Sequence, residues 1–312
     1  MIVKVFIVIA LMALVAVPLA ACQGPQPAPA PSPPEGPEEP EEPESPETVS
    51  FPDGNLEAAV RDALDKPAGE EITAGELASL TTLFAHSRDI ADLSGLEYCT
   101  GLTELYLFLN QITDLSPLSN LTNLTLLDLS NNQISDLSSL ANLTGLTELR
   151  LHGNQITDIS PLANLTGLTK LSLFENQISD ISPLANLTGL IELFLDTNQI
   201  SDVSPLENLT SLTILYLHEN QISDLSPLAN LTNVMVLFLD YNQISDIAPL
   251  ANLTSLADLS FGFNQVSDFS PLLDNSGLGI DDTVFLAGND FLDSEDMDVI
   301  EALEDRGVLV RY

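Results

Sequence analysis

Positive charge is what this chain lacks most. Its 312 residues carry 8 Lys+Arg against 46 Asp+Glu, a formal net charge of -38. Nothing in such a chain could neutralise a run of phosphates, which excludes nucleic acid as a partner. Anionic lipid headgroups are an equally poor match. Cysteine is scarce as well: Cys22 and Cys99 are the only 2, too few for a disulfide framework. With 3 histidines, little is left to build a transition-metal site, and no cofactor is expected. There is no glycine-rich phosphate loop, no Gly-x-Ser-x-Gly elbow and no carboxylate pair that stands apart from the background. No catalytic residues are assigned, and an enzyme is not expected. Hydrophobic residues still make up 45% of the chain, so it is not a disordered acidic tail.

The one long apolar run lies at the start. Lys4 precedes Val5 to Val17, too short for a comfortable membrane span, and the segment closes on Leu19-Ala20-Ala21-Cys22. That ending resembles the lipobox of bacterial lipoproteins; an ordinary signal peptide that contains a cysteine is the other reading. The resemblance implies a signal peptide over 1–21 and a diacylglyceryl group on Cys22. The protein would then be exported and lipid-anchored at the extracytoplasmic face of the membrane rather than spanning it. Residues 22–49 hold half of the 20 prolines, mixed with glutamate. This composition predicts an extended stalk, about 80 Å long at polyproline pitch.

From there one fixed period takes over. Asn110, Asn132, Asn154, Asn176, Asn198, Asn220, Asn242 and Asn264 recur at a constant interval. One unit reads Leu121-x-x-Leu124-x-x-Leu127-x-Leu129-x-x-Asn132-x-Ile134-x-x-Leu137-x-x-Leu140. In Leu-x-Leu the alternation turns leucines to one face and variable residues to the other, a half-buried strand. The asparagine amide, with donors and an acceptor together, suits a turn that must satisfy buried backbone groups. Asp-x-Ser-Pro-Leu then supplies a capping carboxylate and a proline fit for the first turn of a short 3₁₀ helix. The pattern resembles the leucine-rich repeats of bacterial internalins. The resemblance spans 77–289 and implies an α/β solenoid, a right-handed horseshoe. Its parallel strands would line the concave face and its 3₁₀ helices the convex one.

A solenoid must close both ends of its core. A helical cap is predicted over 50–76, with a helix from Asp53 to Lys66 presenting Leu56, Val60, Ala63 and Leu64. A degenerate first coil follows, carrying Arg88 in the asparagine position. Asn289 arrives later than the constant interval from Asn264 would place it, so three extra residues are expected between Asn275 and Asp282. The second cap, 290–312, reads as a helix over Ser294–Asp305 with Met297, Ile300 and Leu303 inward, then Gly307 and a strand.

Most of the remaining chemistry has a structural reading. Cys99 falls in a leucine column and is expected in the core. His86, His152 and His218 share a column but sit three coils apart, about 14 Å between neighbours, too far to share a metal. They are expected at the surface. Asn-Leu-Thr, as in Asn142-Leu143-Thr144, formally fits a glycosylation acceptor but doubles as the spelling of the turn. A column of aspartates from Asp92 to Asp268 caps helices on one reading and binds calcium on another.

Function is sought at the variable outward positions. One column passes from Phe84 and Tyr106 through Asp128, Arg150 and Ser172 to Phe194, Tyr216 and Phe238. The next contains Phe108, Phe174, Asp196 and Asp240. Phe194, Tyr216 and Phe238 should line up about 5 Å apart, with Phe174 near them and Glu192, Asp196 and Asp240 as an acidic rim. This predicts a site for a protein or peptide ligand carrying basic and apolar groups. A glycan- or cell-wall-associated structural module is the alternative, since aromatics also stack on sugars.

Overall fold

The structure, a computed structural model, describes residues 47–289 and 294–312. Cys22, the signal segment and nearly all of the stalk lie outside the described residues. Strands β1 (Thr48–Val49) and β2 (Ile72–Thr73) pair antiparallel. Thr48–Val49, which composition placed in the proline-rich segment, is instead a paired strand of the cap. Between them runs α1 (Gly54–Leu64), and α2 (Ala74–Ala78) follows. Eleven short strands then form one sheet. They are β3 (Thr82–Phe84), β4 (Glu104–Tyr106), β5 (Leu126–Asp128), β6 (Glu148–Arg150), β7 (Lys170–Ser172), β8 (Glu192–Phe194), β9 (Ile214–Tyr216), β10 (Val236–Phe238), β11 (Asp258–Ser260), β12 (Thr283–Phe285) and β13 (Leu309–Arg311). Each pairs in parallel with the next.

Every coil repeats one solution. In a single coil Leu149, Leu151, Ile156, Ile159, Leu162, Leu165 and Leu168 are all at most 1% exposed, so the strand, the turn and the 3₁₀ segment bury their apolar sides together. Asp158 accepts from the Ser160 amide at 2.8 Å and from its hydroxyl at 3.0 Å, starting the turn Ser160–Leu162. The column continues with Asp92, Asp136, Asp180, Asp224 and Asp268, each bound by the amide two residues on. These bonds account for the aspartates as turn-starting groups.

The asparagines stitch coil to coil. Asn154 Nδ2 donates to Leu151 O at 2.9 Å and, one coil back, to Leu129 O at 3.1 Å, while its Oδ1 accepts from the Ile134 amide at 3.0 Å. Asn289 makes the same set of contacts despite its shifted spacing, accepting from Val266 N and donating to Phe261 O and Leu286 O. A second ladder was not read from the sequence. Thr103, Thr125, Thr147 and Thr169 each donate Oγ1 to the matching carbonyl one coil earlier, at 3.0–3.1 Å.

The caps follow the same logic with two corrections. Asp53 caps α1 through the Asn55 and Leu56 amides, and its other oxygen accepts from Ala91 at 2.8 Å, tying the cap to the first coil. The buried face of α1 is Leu56, Ala59 and Val60. Ala63 is exposed, because the helix meets the first coil along the stripe through Ala59. Arg88 turns outward to pair with Asp62 at 2.8 Å. At the far end α3 (Pro271–Asp274) precedes Asn275, which is fully buried and donates to Leu250 O and Leu253 O. Helix α4 (Ser294–Asp305) buries Val299, Ile300 and Leu303. Met297 is 41% exposed, so it lies outside the inward stripe, and Val299 takes its place. Cys99 is buried in the core, and burial pushes its thiol up to about 12.

Candidate binding face

Successive strands place like positions side by side, so the outward residues form columns across the sheet. Phe194, Tyr216 and Phe238 occupy the third residue of β8, β9 and β10. Phe194 and Tyr216 meet edge to face with centroids 5.0 Å apart, and Tyr216 stacks on Phe238 at 4.5 Å. All three are half-buried. Lys170 Nζ lies over the Phe194 ring, 5.7 Å from its centroid. Both ring geometries are favoured over a face-to-face sandwich.

The acids expected as a rim have other duties. Glu192 is neutralised by Lys170 at 2.7 Å. Asp196 is buried, with His218 Nε2 at 3.4 Å from its carboxylate. Burial raises the Asp196 carboxyl above the ordinary range, although His218 pulls the other way. Asp240 Oδ1 accepts from Ser260 Oγ at 2.6 Å and from the Gly262 amide at 2.9 Å, fastening β10 to β11. Glu192 and Asp240 are thus engaged within the sheet, while Asp196 Oδ1 is buried without a hydrogen-bond partner.

Phe174 lies outside the Phe194 row. Its ring stacks on His152 at 4.1 Å. His86 stacks on Phe108 in the same way at 4.3 Å. The histidines are therefore half-buried members of the second outward column, not plain surface residues, and burial lowers His152. The repeat interval places His86, Phe108, His152, Phe174, Asp196, His218 and Asp240 in one column; aligning the units on their asparagines reveals it. A further pair, Phe84 and Tyr106, stacks at 4.8 Å near the N-terminal edge of the sheet, with Phe84 58% exposed.

Between the two aromatic groups the face is ionic. Arg150 bridges Asp128 at 3.1 Å and Glu148 at 2.6 Å. Sequence reasoning also missed a change in the outward column that precedes these two along each strand. It reads Glu148, Lys170 and Glu192, then switches to Ile214 and Val236 beside Tyr216 and Phe238. Met235, just before β10, is 50% exposed. The apolar strip is thus wider than its three rings. Among the described residues no group of three or more His, Cys, Asp or Glu side chains is placed to hold a metal ion, and no helix is long and apolar enough to cross a membrane.

The family model for leucine-rich repeats matches residues 122–164, 166–208 and 188–230. Comparison with curated proteins finds no match. Among solved structures, an internalin (inlF) from Listeria monocytogenes is 38% identical. The alignment covers 86% of this chain and 93% of that one, at a TM-score of 0.62. Internalin C2 from the same species is 44% identical over 69% of this chain and 97% of its own, at a TM-score of 0.65. A leucine-rich repeat protein of Leptospira interrogans, 21% identical over 76% of this chain and 74% of its own at a TM-score of 0.58, shares the fold. With its parallel solenoid sheet, its asparagine-stitched coils and this likeness over nearly the full length of an internalin, the chain belongs to the internalin-type leucine-rich repeat family.

Proposed function

We propose that this protein is a lipid-anchored, extracytoplasmic interaction module that binds a protein or peptide through the outward face of its sheet and catalyses nothing. A leucine-rich repeat solenoid of internalin type is a protein-interaction scaffold, and that coarser role follows from the family. The finer reading is carried by one observation: the contiguous row of Phe194, Tyr216 and Phe238 on a face whose inward neighbours are almost unvaried leucine. Aromatic side chains supply a large contact area with few rotatable bonds, which is why they dominate binding hot spots. The open sheet offers a broad surface rather than a closed pocket, the shape that suits a macromolecular ligand. Anchoring through Cys22 and a proline-rich stalk would hold this face away from the membrane.

A photo-reactive phenylalanine analogue placed at Phe238 in the full chain, on intact cells, tests the face directly. The same analogue at Asn142, an exposed turn position, is the control. A partner that cross-links at Phe238 and not at Asn142 is then titrated against Phe194→Ala, Tyr216→Ala and Phe238→Ala. Each is expected to cost about 2 kcal/mol or more, roughly thirtyfold in affinity. Cross-linking only from Asn142, or unchanged affinity in all three folded variants, refutes the assignment. A partner that survives protease digestion and yields to glycosidase would instead identify a glycan.

A further inference from the structure

Lys170 shows how this face holds a cation. Its ammonium is 5.7 Å from the Phe194 centroid and 2.7 Å from the Glu192 carboxylate, ring on one side and charge on the other. Lys170 and Phe194 stand on diagonal positions of neighbouring strands, since Lys170 pairs with Glu192 and Ser172 with Phe194. The aromatic row then continues for two more coils without a lysine or arginine; its basic neighbour there is His218, 6.0 Å from Tyr216 and 6.5 Å from Phe238 and already facing Asp196. Tyr216 and Phe238 stack over that stretch, and the column that carried Lys170 becomes Ile214 and Val236.

One strand further on, the same column reaches Asp258, the exposed neighbour of Val236. No ion pair to Asp258 is present among the described residues, in contrast to Glu192, Asp128 and Glu148. Asp258 stands diagonal to Phe238 across the parallel pair of β10 and β11. The diagonal is of the kind that joins Lys170 to Phe194, here with an acid in the lysine's place. Its charge reaches the neighbouring ring: burial, then Asp196, Asp258 and Glu192, raise the Tyr216 hydroxyl.

We propose that Tyr216, Phe238 and Asp258 form a seat for one arginine side chain of the protein or peptide partner, a reading that rests on the sheet face being the binding surface. A guanidinium is planar, stacks on aromatic faces and meets a carboxylate through two parallel hydrogen bonds. The apolar stem of the arginine lies along Val236 and Ile214. Charge complementarity points the same way. The chain carries a net charge of -38, and Arg61, Lys66, Arg88, Arg150 and Lys170 are all held in internal ion pairs.

The test uses the full chain and two fluorescein-labelled peptides, one alternating arginine and leucine, the other with neutral citrulline in place of arginine. The arginine peptide is expected to bind at least about tenfold more tightly, the scale of one cation–π contact with a carboxylate behind it. Asp258→Asn should cut that preference severalfold and leave the citrulline peptide unchanged, while Phe238→Ala should weaken both. Asp136→Asn, the same charge change on an exposed turn away from the sheet face, should leave the ratio intact. Equal losses from Asp136→Asn and Asp258→Asn, or no binding of the arginine peptide, overturn the seat. An inert Asp258→Asn beside an effective Phe238→Ala rejects the seat and keeps the strip, whereas an inert Phe238→Ala rejects the strip itself.

Discussion

Removing one asparagine from the middle of the ladder should show how the solenoid is held together. Asn220 Oδ1 is the partner of the Ile200 amide at 2.9 Å, and its Nδ2 donates to Leu195 O at 3.0 Å and Leu217 O at 3.1 Å. The two carbonyls are shared. Leu195 O also accepts from Asn198, and Leu217 O from Asn242, both at 3.0 Å. In Asn220→Ala each carbonyl therefore keeps one bond, and only the buried Ile200 N–H loses its side-chain partner outright. An orphaned buried donor costs about 1–3 kcal/mol, and the two weakened acceptors add roughly 0.5 kcal/mol each. The expected loss is thus about 2–4 kcal/mol, a fall of roughly 5–12 °C in thermal midpoint for a domain of this size. Asn220→Asp should be worse at neutral pH, because it sets a carboxylate oxygen against two carbonyls in a buried turn, and it should recover on acidification. Arg88→Ala is the comparison. It breaks one largely exposed ion pair with Asp62 and should cost no more than about 0.5 kcal/mol. Urea denaturation with circular dichroism measures all three. A loss below about 0.5 kcal/mol for Asn220→Ala, or one equal to that of Arg88→Ala, would sink the argument.

Other measurements address the charges, the thiol and the anchor. Hydrogen bonds from Ser138, Ser182 and Ser226 hold Asp136, Asp180 and Asp224 below the ordinary carboxylate range, and the Lys66 contact takes Glu76 to about 2. Their stabilising effect is present above the unfolded values near pH 4 and is lost as pH falls through the lowered ones, so thermal midpoints should drop steeply between about pH 4 and 2. Asp196 has the opposite sign. Its raised carboxyl favours the fold below the unfolded value and loses that advantage as pH rises, so Asp196→Asn should raise the midpoint at pH 7 and change little near pH 3. Cys99, buried with its thiol at about 12, should resist a thiol reagent in the native protein and react fully in denaturant; fast native labelling would contradict its core position. Cys22→Ser should abolish lipid labelling and leave precursor or released protein, and normal membrane retention of that variant would rule out the anchor.

The repeat was legible because its physics is local and periodic. Each coil needs leucines at fixed intervals and an amide at the turn, so the spacing of Leu121 to Leu140 already implies the strand, the turn and the parallel stacking. The core position of Cys99 followed from column membership alone, as did the three extra residues before Asn289. What the spacing could not tell was what a side chain does once neighbouring coils surround it. Glu192, Asp196 and Asp240 read alike as acids near an aromatic row. Only the packed sheet assigns one to Lys170, one to a buried contact with His218 and one to Ser260 and Gly262. Ala63 and Met297 fit helical stripes on paper, but the way each cap packs on its terminal coil decided which stripe is buried. Phe194 and Tyr216 meet edge to face while Tyr216 stacks on Phe238, a choice set by neighbours a full coil away along the chain. Periodicity determines which residues face in; the partners across the stack determine what the outward residues are free to do.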